Sequence, residues 1–284
     1  MILTGTGTID SVASQTAVPQ ILDTYGSADT AFSLRKLRTA YAGSAIRVRR
    51  SSDNTEQDIG FAKNILDLSS LLAFCGTGNG FVTVWYDQSG NGNNILQTSA
   101  TSQPQIVASG SVLTTGGRPT VLFDGTNDYM FIGSQRFSNS VMTTFYATQN
   151  LSPYNYGGII TSKIAGIDNA PALDWDGGTG KLETIWANPN SVLQTTRQNA
   201  LFIGNSYYSG SGIQAWTNNV SDGTNSQTVT TVPNPSTTWF GTYRTEETVL
   251  CGRFYLSEFF NYFSDQSSNR ATINLNLNSF YVAY

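Results

Sequence analysis

The stretch FVTVWYDQSGNGN, residues 81–93, joins a strand-like run directly to a turn rich in hydrogen-bonding side chains. Its first six residues alternate β-branched and aromatic side chains, a pattern typical of a β-strand. In the turn, Asp87, Ser89 and Asn91 can bond to nearby backbone groups, and the two glycines can adopt positive φ. Such a turn either ends the strand or positions a ligand. We interpret it as a structural turn, with contact of Asp87 to a ligand as the alternative.

Short runs rich in Val, Ile, Thr and aromatic residues recur between turn residues along the rest of the chain. They are PTVLFDG, MTTFYAT, GGIITS, KLETIWA, ALFIGNSYY, GIQAWTN, SQTVTTV, WFGTYR and GRFYLSEFFNYF. Many short strands without intervening helices favour a sandwich of two antiparallel sheets. No repeat or linker divides the chain. We therefore predict one sandwich domain over residues 25–284, preceded by an N-terminal arm or first strand over residues 1–24.

Three segments depart from the strand pattern and predict short helices, over residues 31–42, 64–75 and 265–281. Their apolar residues recur at helical spacing, and the first two segments are followed by a glycine suited to a helix C-terminus. Ser264 precedes the third segment and is a favourable N-cap residue. These helices are too few and too short to change the fold class, so the prediction is an all-β protein.

The surface of this chain must be covered mainly by neutral polar residues, because only 12% of its 284 residues are charged. That is about half the usual fraction. The net charge of −4 argues against nucleic-acid binding, which requires a basic surface. No apolar stretch approaches the ~20 residues of a membrane helix, and the first residues lack the pattern of a signal peptide. We therefore expect no nucleic acid and no membrane as a partner. A low charged fraction together with the lack of a signal-peptide pattern is typical of virion components assembled in the host cytoplasm.

Histidine is absent, and the chain has only two cysteines, Cys75 and Cys251. This composition excludes Ser-His-Asp and Cys-His catalysis and disfavours a zinc site, so carboxylates are the groups left for catalysis. The cysteines are expected to be small buried hydrophobic residues unless they lie close enough for a disulfide. No cofactor is expected. Asp124 and Asp128 in FDGTNDY could bind a structural calcium ion, but a turn with Asx bonding explains them equally well.

Two segments, AFSLRKLRTAYAGSAIRVRRSSDNTEQDIGF (31–61) and AFCGTGNGFVTVWYDQSGNGN (73–93), resemble the catalytic domain of the α-L-arabinofuranosidase B family, glycoside hydrolase family 54. Two others, PTVLFDGTNDYM (119–130) and GRFYLSEFFNYFSDQSSNR (252–270), resemble the laminin-G-like and concanavalin A-like sandwiches to which that domain belongs. Similar sequences also occur in tailed-phage structural and tail-fibre proteins. The resemblance implies a concanavalin A-like jelly-roll of two antiparallel sheets.

The resemblance also implies the chemistry of a retaining glycosidase, in which a nucleophile and an acid/base carboxyl lie about 5–5.5 Å apart. The family's nucleophile is a strand glutamate, and KLETIWANPN supplies Glu183 at that position. The family's acid/base is an aspartate where this chain has Thr245, and the adjacent Glu246 is the candidate substitute. The family's pair of adjacent cysteines has no counterpart here. Gly80 replaces the cysteine that would bond to Cys75.

Several aromatic residues lie near Glu183 or in loop-like contexts, where their rings could stack on sugars or could instead fill the sandwich. These carbohydrate-binding candidates are Trp175, Trp186, Tyr154, Tyr156, Tyr207 and Tyr208.

The displaced acid and the missing cysteine pair favour a non-catalytic function. The sequence interpretation is a phage virion structural protein, a fibre or decoration component that binds host-surface glycans. Its partners would be other virion proteins and further copies of itself, and its location would be the virion. The alternative is an active retaining α-L-arabinofuranosidase or related glycoside hydrolase, and a further alternative is a bacterial surface adhesin. A second buried carboxyl at retaining distance from Glu183 would favour the enzyme.

Overall fold

The structure is a computed structural model, which describes residues 19–134, 136–137, 141–151, 157–162, 171–175, 181–187, 190–193, 199–210, 212–226, 237–244 and 247–284. The helices of these residues are α1 (Ile21–Tyr25), α2 (Leu68–Cys75), α3 (Arg270–Tyr281) and a 3-10 turn (Ala100–Ser102). The strands are β1 (Thr30–Ser33), β2 (Ile46–Arg50), β3 (Glu56–Ile59), β4 (Phe61–Ala62), β5 (Ile65–Leu66), β6 (Gly80–Trp85), β7 (Ile95–Leu96), β8 (Gln105–Ala108), β9 (Ser111–Val112), β10 (Thr114–Thr115), β11 (Arg118–Pro119), β12 (Val121–Asp124), β13 (Met130–Ile132), β14 (Val141–Asn150), β15 (Gly157–Thr161), β16 (Ala172–Trp175), β17 (Leu182–Ala187), β18 (Asn190–Leu193), β19 (Phe202–Ser209), β20 (Gly212–Thr217), β21 (Val220–Asn225), β22 (Thr238–Phe240), β23 (Thr242–Arg244), β24 (Glu247–Cys251) and β25 (Arg253–Tyr262).

The first sheet has the order β21–β20–β19–β14–β25. Strand β25 is ten residues long, and along its other side it pairs with two shorter strands. Its first half bonds to β12, with Val121 opposite Leu256, and its second half bonds to β1, with Phe32 opposite Phe259. Strand β25 therefore joins segments from three distant parts of the chain.

The second sheet runs in the order β3–β2–β6–β7–β13–β22–β15–β16–β17–β18. Strand β8 pairs with β6 of this sheet and with β12 of the first, so hydrogen bonding continues from one sheet to the other. Every pairing between the described strands is antiparallel. This arrangement confirms the predicted all-β sandwich of two antiparallel sheets.

Side chains along β25 alternate between two hydrophobic cores. Phe259 faces the main core between the sheets, where its ring meets that of Phe240 from β22 edge-on at 5.3 Å. The next residue, Phe260, faces a second core, which α1 and α3 cover with residues such as Leu22 and Leu277. The first sheet is therefore buried on both faces, because helices cover the face that points away from its partner sheet.

The predicted helix over residues 64–75 is confirmed as α2, which Asp67 caps by accepting a 3.1 Å hydrogen bond from the backbone N–H of Ser70. The predicted C-terminal helix is also confirmed, although α3 begins at Arg270, with Asn269 instead of Ser264 at its N-cap. The predicted helix over residues 31–42 is wrong. Its first residues form β1, because pairing with the distant β25 outweighs the local helical spacing of the apolar residues.

Of the predicted N-terminal arm, residues 1–18 lie outside the described residues, and the remainder includes α1, which packs against α3. Cys75 and Cys251 are both buried, and no disulfide joins them. Among the helices described above, none has the length and apolar character needed to cross a membrane.

Candidate functional site

The candidate nucleophile Glu183 lies on β17 and points away from the main core. Its neighbour Leu182 is fully buried in that core, together with Trp175, the residue directly opposite Leu182 on β16. Because side chains alternate along a strand, Glu183 faces the outer side of the second sheet. Its side chain is half-buried, so it remains accessible from that side.

A second carboxyl group lies directly opposite Glu183 on the neighbouring strand. Asp174 of β16 is the Cα partner of Glu183 in the antiparallel ladder, and it is only 1% exposed. Residues directly opposite in such a ladder have Cβ atoms about 4.5–5.5 Å apart and project to the same face. The structure therefore places two carboxyl-bearing residues side by side on one face of the second sheet.

Asp174 could not be selected from the sequence, because only the register of β16 against β17 places it opposite Glu183. The available signal was the succession of two strand runs, ALDW and KLETIW, around a Gly-rich segment, which is typical of a hairpin. Such a pattern predicts that the strands pair, but it does not specify which residues are opposite when the connection is long.

The hairpin of β23 and β24 packs over β15, the strand next to Asp174. Gly158 of β15 is the ladder partner of Asp174, and a Cβ atom at Gly158 would lie 2.4 Å from the backbone oxygen of Thr242. The hydroxyl of Thr161 donates a 3.1 Å hydrogen bond to the carbonyl of Tyr243. The hairpin therefore forms a wall beside the carboxyl pair.

The candidate acid/base Glu246 lies outside the described residues, between the ends of β23 and β24. Its assignment stays a prediction. The same holds for Tyr154 and Tyr156, and the side chain of Trp186 is also outside the described set, although its backbone belongs to β17.

Two of the carbohydrate-binding candidates are core residues, and these assignments are corrected. Trp175 is 2% exposed, and its ring meets Phe202 edge-on at 6.2 Å. Tyr208 is 1% exposed and belongs to the same core. Neither ring offers a face to a sugar. The adjacent Tyr207 points the other way, is half-buried, and stays a candidate.

The assignment of Asp87 to carbohydrate binding is also corrected, because its carboxylate accepts hydrogen bonds from other groups of the chain. Its oxygens accept hydrogen bonds from the backbone N–H groups of Ala31, Ser89 and Asn93 at 2.9–3.0 Å and from the Ser89 hydroxyl at 2.6 Å. The next residue, Gln88, accepts from the N–H of Leu37 and donates to two further backbone carbonyls. The turn that follows β6 therefore fastens residues 31–37 to the sandwich, as the structural interpretation of DQSGNGN predicts.

Asp124 and Asp128 form the turn with Asx bonding that sequence analysis gave as the alternative to calcium. Asp128 accepts a 2.9 Å hydrogen bond from the N–H of Asp124, and Asp124 accepts one of 2.8 Å from the N–H of Thr126. Burial, reinforced by the charge of Asp124, raises the pKa of Asp128 to about 7. In the part of the chain that the structure describes, no group of three or more His, Cys, Asp or Glu residues could hold a metal ion.

Comparison with known proteins gives a consistent result. The family model described as "Alpha-L-arabinofuranosidase B, catalytic" matches residues 23–240. Alpha-L-arabinofuranosidase B of Aspergillus oryzae is 26% identical over 195 residues, which cover 60% of this chain and 37% of that protein. The Emericella nidulans protein of the same name is 27% identical over 197 residues, covering 61% and 38%. The chain thus spans about two fifths of the length of these curated relatives.

Solved structures agree on the fold. An arabinofuranosidase complexed with arabinofuranosyl-alpha-1,2-xylobiose superposes with a TM-score of 0.62 and 15% identity, covering 90% of this chain and 64% of that one. A GH54 arabinofuranosidase soaked with a cyclic sulfate inhibitor gives a TM-score of 0.64 and 14% identity, covering 88% and 62%.

These matches overturn the virion interpretation. The curated relatives are fungal arabinofuranosidases, so the assignment to a phage tail fibre or decoration protein is wrong. The virion partners and the virion location that depended on that assignment are withdrawn with it. The missing cysteine pair and the displaced acid did not justify a non-catalytic interpretation, because the family model and the curated relatives that match this chain are those of arabinofuranosidases.

Proposed function

The chain belongs to the α-L-arabinofuranosidase B catalytic family, and we propose from this membership that it is a retaining glycoside hydrolase that releases α-L-arabinofuranosyl residues. The observation that carries the proposal is the ladder pairing of Asp174 with Glu183, in which two carboxyl-bearing residues lie next to each other on one face of the second sheet, as the two-carboxylate mechanism requires. Two carboxyl groups perform this reaction without a cofactor.

We assign the two groups by their environments. Glu183 is half-buried and reachable from solvent, which suits a nucleophile that must approach the anomeric carbon. Asp174 lies next to Glu183 on the same face and beside the hairpin wall, and we assign it as the acid/base. Glu246 is the alternative acid/base from sequence analysis.

In the first step, a carboxylate oxygen of Glu183 attacks the anomeric carbon while Asp174 protonates the departing glycosidic oxygen. The C–O bond to the leaving group breaks, and a glycosyl ester of Glu183 forms. In the second step, Asp174 removes a proton from water, which attacks the same carbon and releases the sugar and the Glu183 carboxylate. The anomeric configuration is retained because both steps invert it.

The test uses release of nitrophenol from 4-nitrophenyl α-L-arabinofuranoside. The unmodified chain should hydrolyse it, and Glu183→Gln should lower kcat by at least roughly 10⁴-fold, as expected for loss of a nucleophile. Azide should not restore a product of retained configuration to this variant. Absence of hydrolysis by the unmodified chain, or full activity of Glu183→Gln, would refute the proposal.

The acid/base assignment is tested by comparing Asp174→Asn with Glu246→Gln. Loss of the acid should lower kcat about 10²–10⁴-fold on substrates with a poor leaving group and much less on the nitrophenyl substrate. Azide should rescue that variant by trapping the glycosyl ester as an azide of retained configuration. We expect this behaviour from Asp174→Asn. If Glu246→Gln shows it instead, the acid/base is Glu246 and Asp174 serves to position the nucleophile.

A further inference from the structure

The outer face of the first sheet carries a cavity of about 150 Å³ over β19, β20 and β21. Tyr207 of β19, Gln214 of β20 and Thr224 of β21 line it, and these residues are successive ladder partners across the three strands. The neighbouring Tyr208 faces the main core, so Tyr207 and its ladder partners Gln214 and Thr224 face outward by alternation.

The lining of the cavity is neutral and rich in groups that can donate and accept hydrogen bonds. Besides the tyrosine, it consists of a glutamine, an asparagine, a threonine, two serines, an isoleucine and a glycine. None of these side chains carries a charge at neutral pH. The hydroxyl of Tyr207 donates a 3.3 Å hydrogen bond to Asp265. Burial and the charge of Asp265 raise the pKa of Tyr207, which keeps the phenol protonated.

The backbone at the end of the cavity is closely packed at Gly212. This residue has a φ of +150°, and a Cβ atom would lie 2.4 Å from the backbone oxygen of Asn225. A side chain here would strain the hairpin and push β20 and β21 apart. The close approach of β20 and β21 at this end of the cavity therefore requires a glycine at position 212.

An aromatic ring combined with neutral hydrogen-bonding side chains is the chemistry that recognises uncharged sugars. A cavity of about 150 Å³ is smaller than the ~300–1,000 Å³ sites that enclose whole ligands, so it suits contact with a single residue of a polymer. We propose that this cavity is an accessory binding site for one residue of a neutral polysaccharide, on the face of the sandwich opposite to Glu183.

Such a site would hold a polymeric carbohydrate on the molecule while a different part of the polymer meets Glu183. Two weak sites joined by one polymer bind with a higher avidity than either alone, provided that the polymer can reach both. The inference does not rest on hydrolysis, because a binding site on the first sheet exists whether or not Glu183 is a nucleophile.

The test measures binding in the Glu183→Gln background, so that turnover cannot change the probe. Soluble arabinoxylan and linear arabinan are cast into native gels, with polygalacturonate as a charged polymer and a gel without polymer as the reference. We expect arabinoxylan or arabinan to retard the protein, and Tyr207→Ala or Gln214→Ala to weaken the apparent affinity by about tenfold. Val220→Ala is the matched control, because Val220 is 67% exposed at the far end of β21.

Retardation that is unchanged in both cavity variants would overturn the inference, as would retardation by polygalacturonate alone or by no polymer. Hydrogen exchange provides a second measurement that does not depend on the variants. Arabinoxylan should slow exchange in residues 207–214 and 220–226 of the Glu183→Gln protein, and slowing confined to β16 and β17 would assign binding to the carboxyl site instead.

Discussion

Glu258 on β25 and Arg35 form an ion pair in which Oε2 and Nε are 2.8 Å apart and the side chains are 0% and 5% exposed. A second contact joins Oε1 to the guanidinium at 3.0 Å. The hydroxyls of Ser33 and Tyr281 donate to the same carboxylate at 2.8 and 2.9 Å. The carboxylate of Glu258 therefore connects β25 to the segment that follows β1 and to α3.

Replacing one member of this pair should be costly. Glu258→Gln removes the negative charge while the arginine stays buried, and we expect the free energy of unfolding to fall by about 3–5 kcal/mol. Urea denaturation monitored by fluorescence measures the change. Asp58→Asn is the matched control, because the Arg47–Asp58 pair is about 40% exposed on both sides and should contribute less than about 1 kcal/mol. Equal effects of the two variants would contradict the prediction.

Asp87→Ala should loosen the segment that the turn after β6 fastens. The change leaves three backbone N–H groups and one hydroxyl without their acceptor. Because hydrogen bonds to charged groups contribute about 1.5–3 kcal/mol each, we expect a loss of at least about 3 kcal/mol of stability. Limited proteolysis should cut first within residues 28–37. The exposed Asp53→Ala serves as control, and cleavage at the same rate in both variants would refute the expectation.

Gly80→Cys should form a disulfide with Cys75. A Cβ atom at Gly80 would lie 2.7 Å from the Sγ of Cys75, so a small local shift brings a second sulfur within bonding distance. Thiol titration of the unfolded protein should then count one free thiol, that of Cys251, instead of three. Gly78→Cys is the control, because the atoms nearest its Cβ position belong to Ser51 and to the backbone of Cys75. Three titratable thiols in the Gly80→Cys protein after air oxidation would contradict the prediction.

Asp128 should make stability depend on pH. Burial and the neighbouring Asp124 raise the pKa of Asp128 to about 7 in the folded chain, whereas the unfolded chain releases this proton near pH 4. Between these values only the folded protein holds the proton, so the free energy of unfolding should fall as pH rises, by up to about 1.4 kcal/mol per unit. Above about pH 7 this contribution should level off.

The comparison of unfolding free energies at pH 4.5, 6 and 8 tests this dependence. Asp128→Asn keeps an oxygen for the Asp124 N–H and removes the titrating group, so its curve should lack the decline and should lie above that of the unmodified chain at pH 8. Two parallel curves would show that another group controls the slope.

The fold class could be predicted because its signals are local. Alternating runs and turn residues indicate strands without reference to any partner, and the side chains of DQSGNGN indicate a structural turn by their chemistry. The error over residues 31–42 has the opposite origin. Phe32 and its neighbours have helical spacing, but their partners lie on β25, more than 200 residues away, and no local pattern contains that pairing.

In the candidate site, too, residues with a local signal could be predicted and those that depend on strand pairing could not. Glu183 could be proposed from its position in a strand, whereas Asp174 required the register between two strands. The tyrosine pair was partly decidable in advance, because adjacent residues of a strand point to opposite faces and only one of Tyr207 and Tyr208 can face outward. Trp175 was harder to place, since a tryptophan beside a candidate nucleophile suits a sugar platform as well as a core.

The position of β25 between β14 on one side and β12 and β1 on the other has a consequence for biosynthesis. Its partners β1, β12 and β14 leave the ribosome well before it, and β1 precedes it by roughly 220 residues. At translation rates of about 5–20 residues per second, β1 waits on the order of ten to forty seconds for its partner. During that time Phe32 lacks its partner strand. Once β14 has been synthesised, one of its edges is also unpaired until β25 emerges. The nascent chain should therefore engage chaperones throughout most of its synthesis, and slower folding conditions after release should improve the yield of soluble protein.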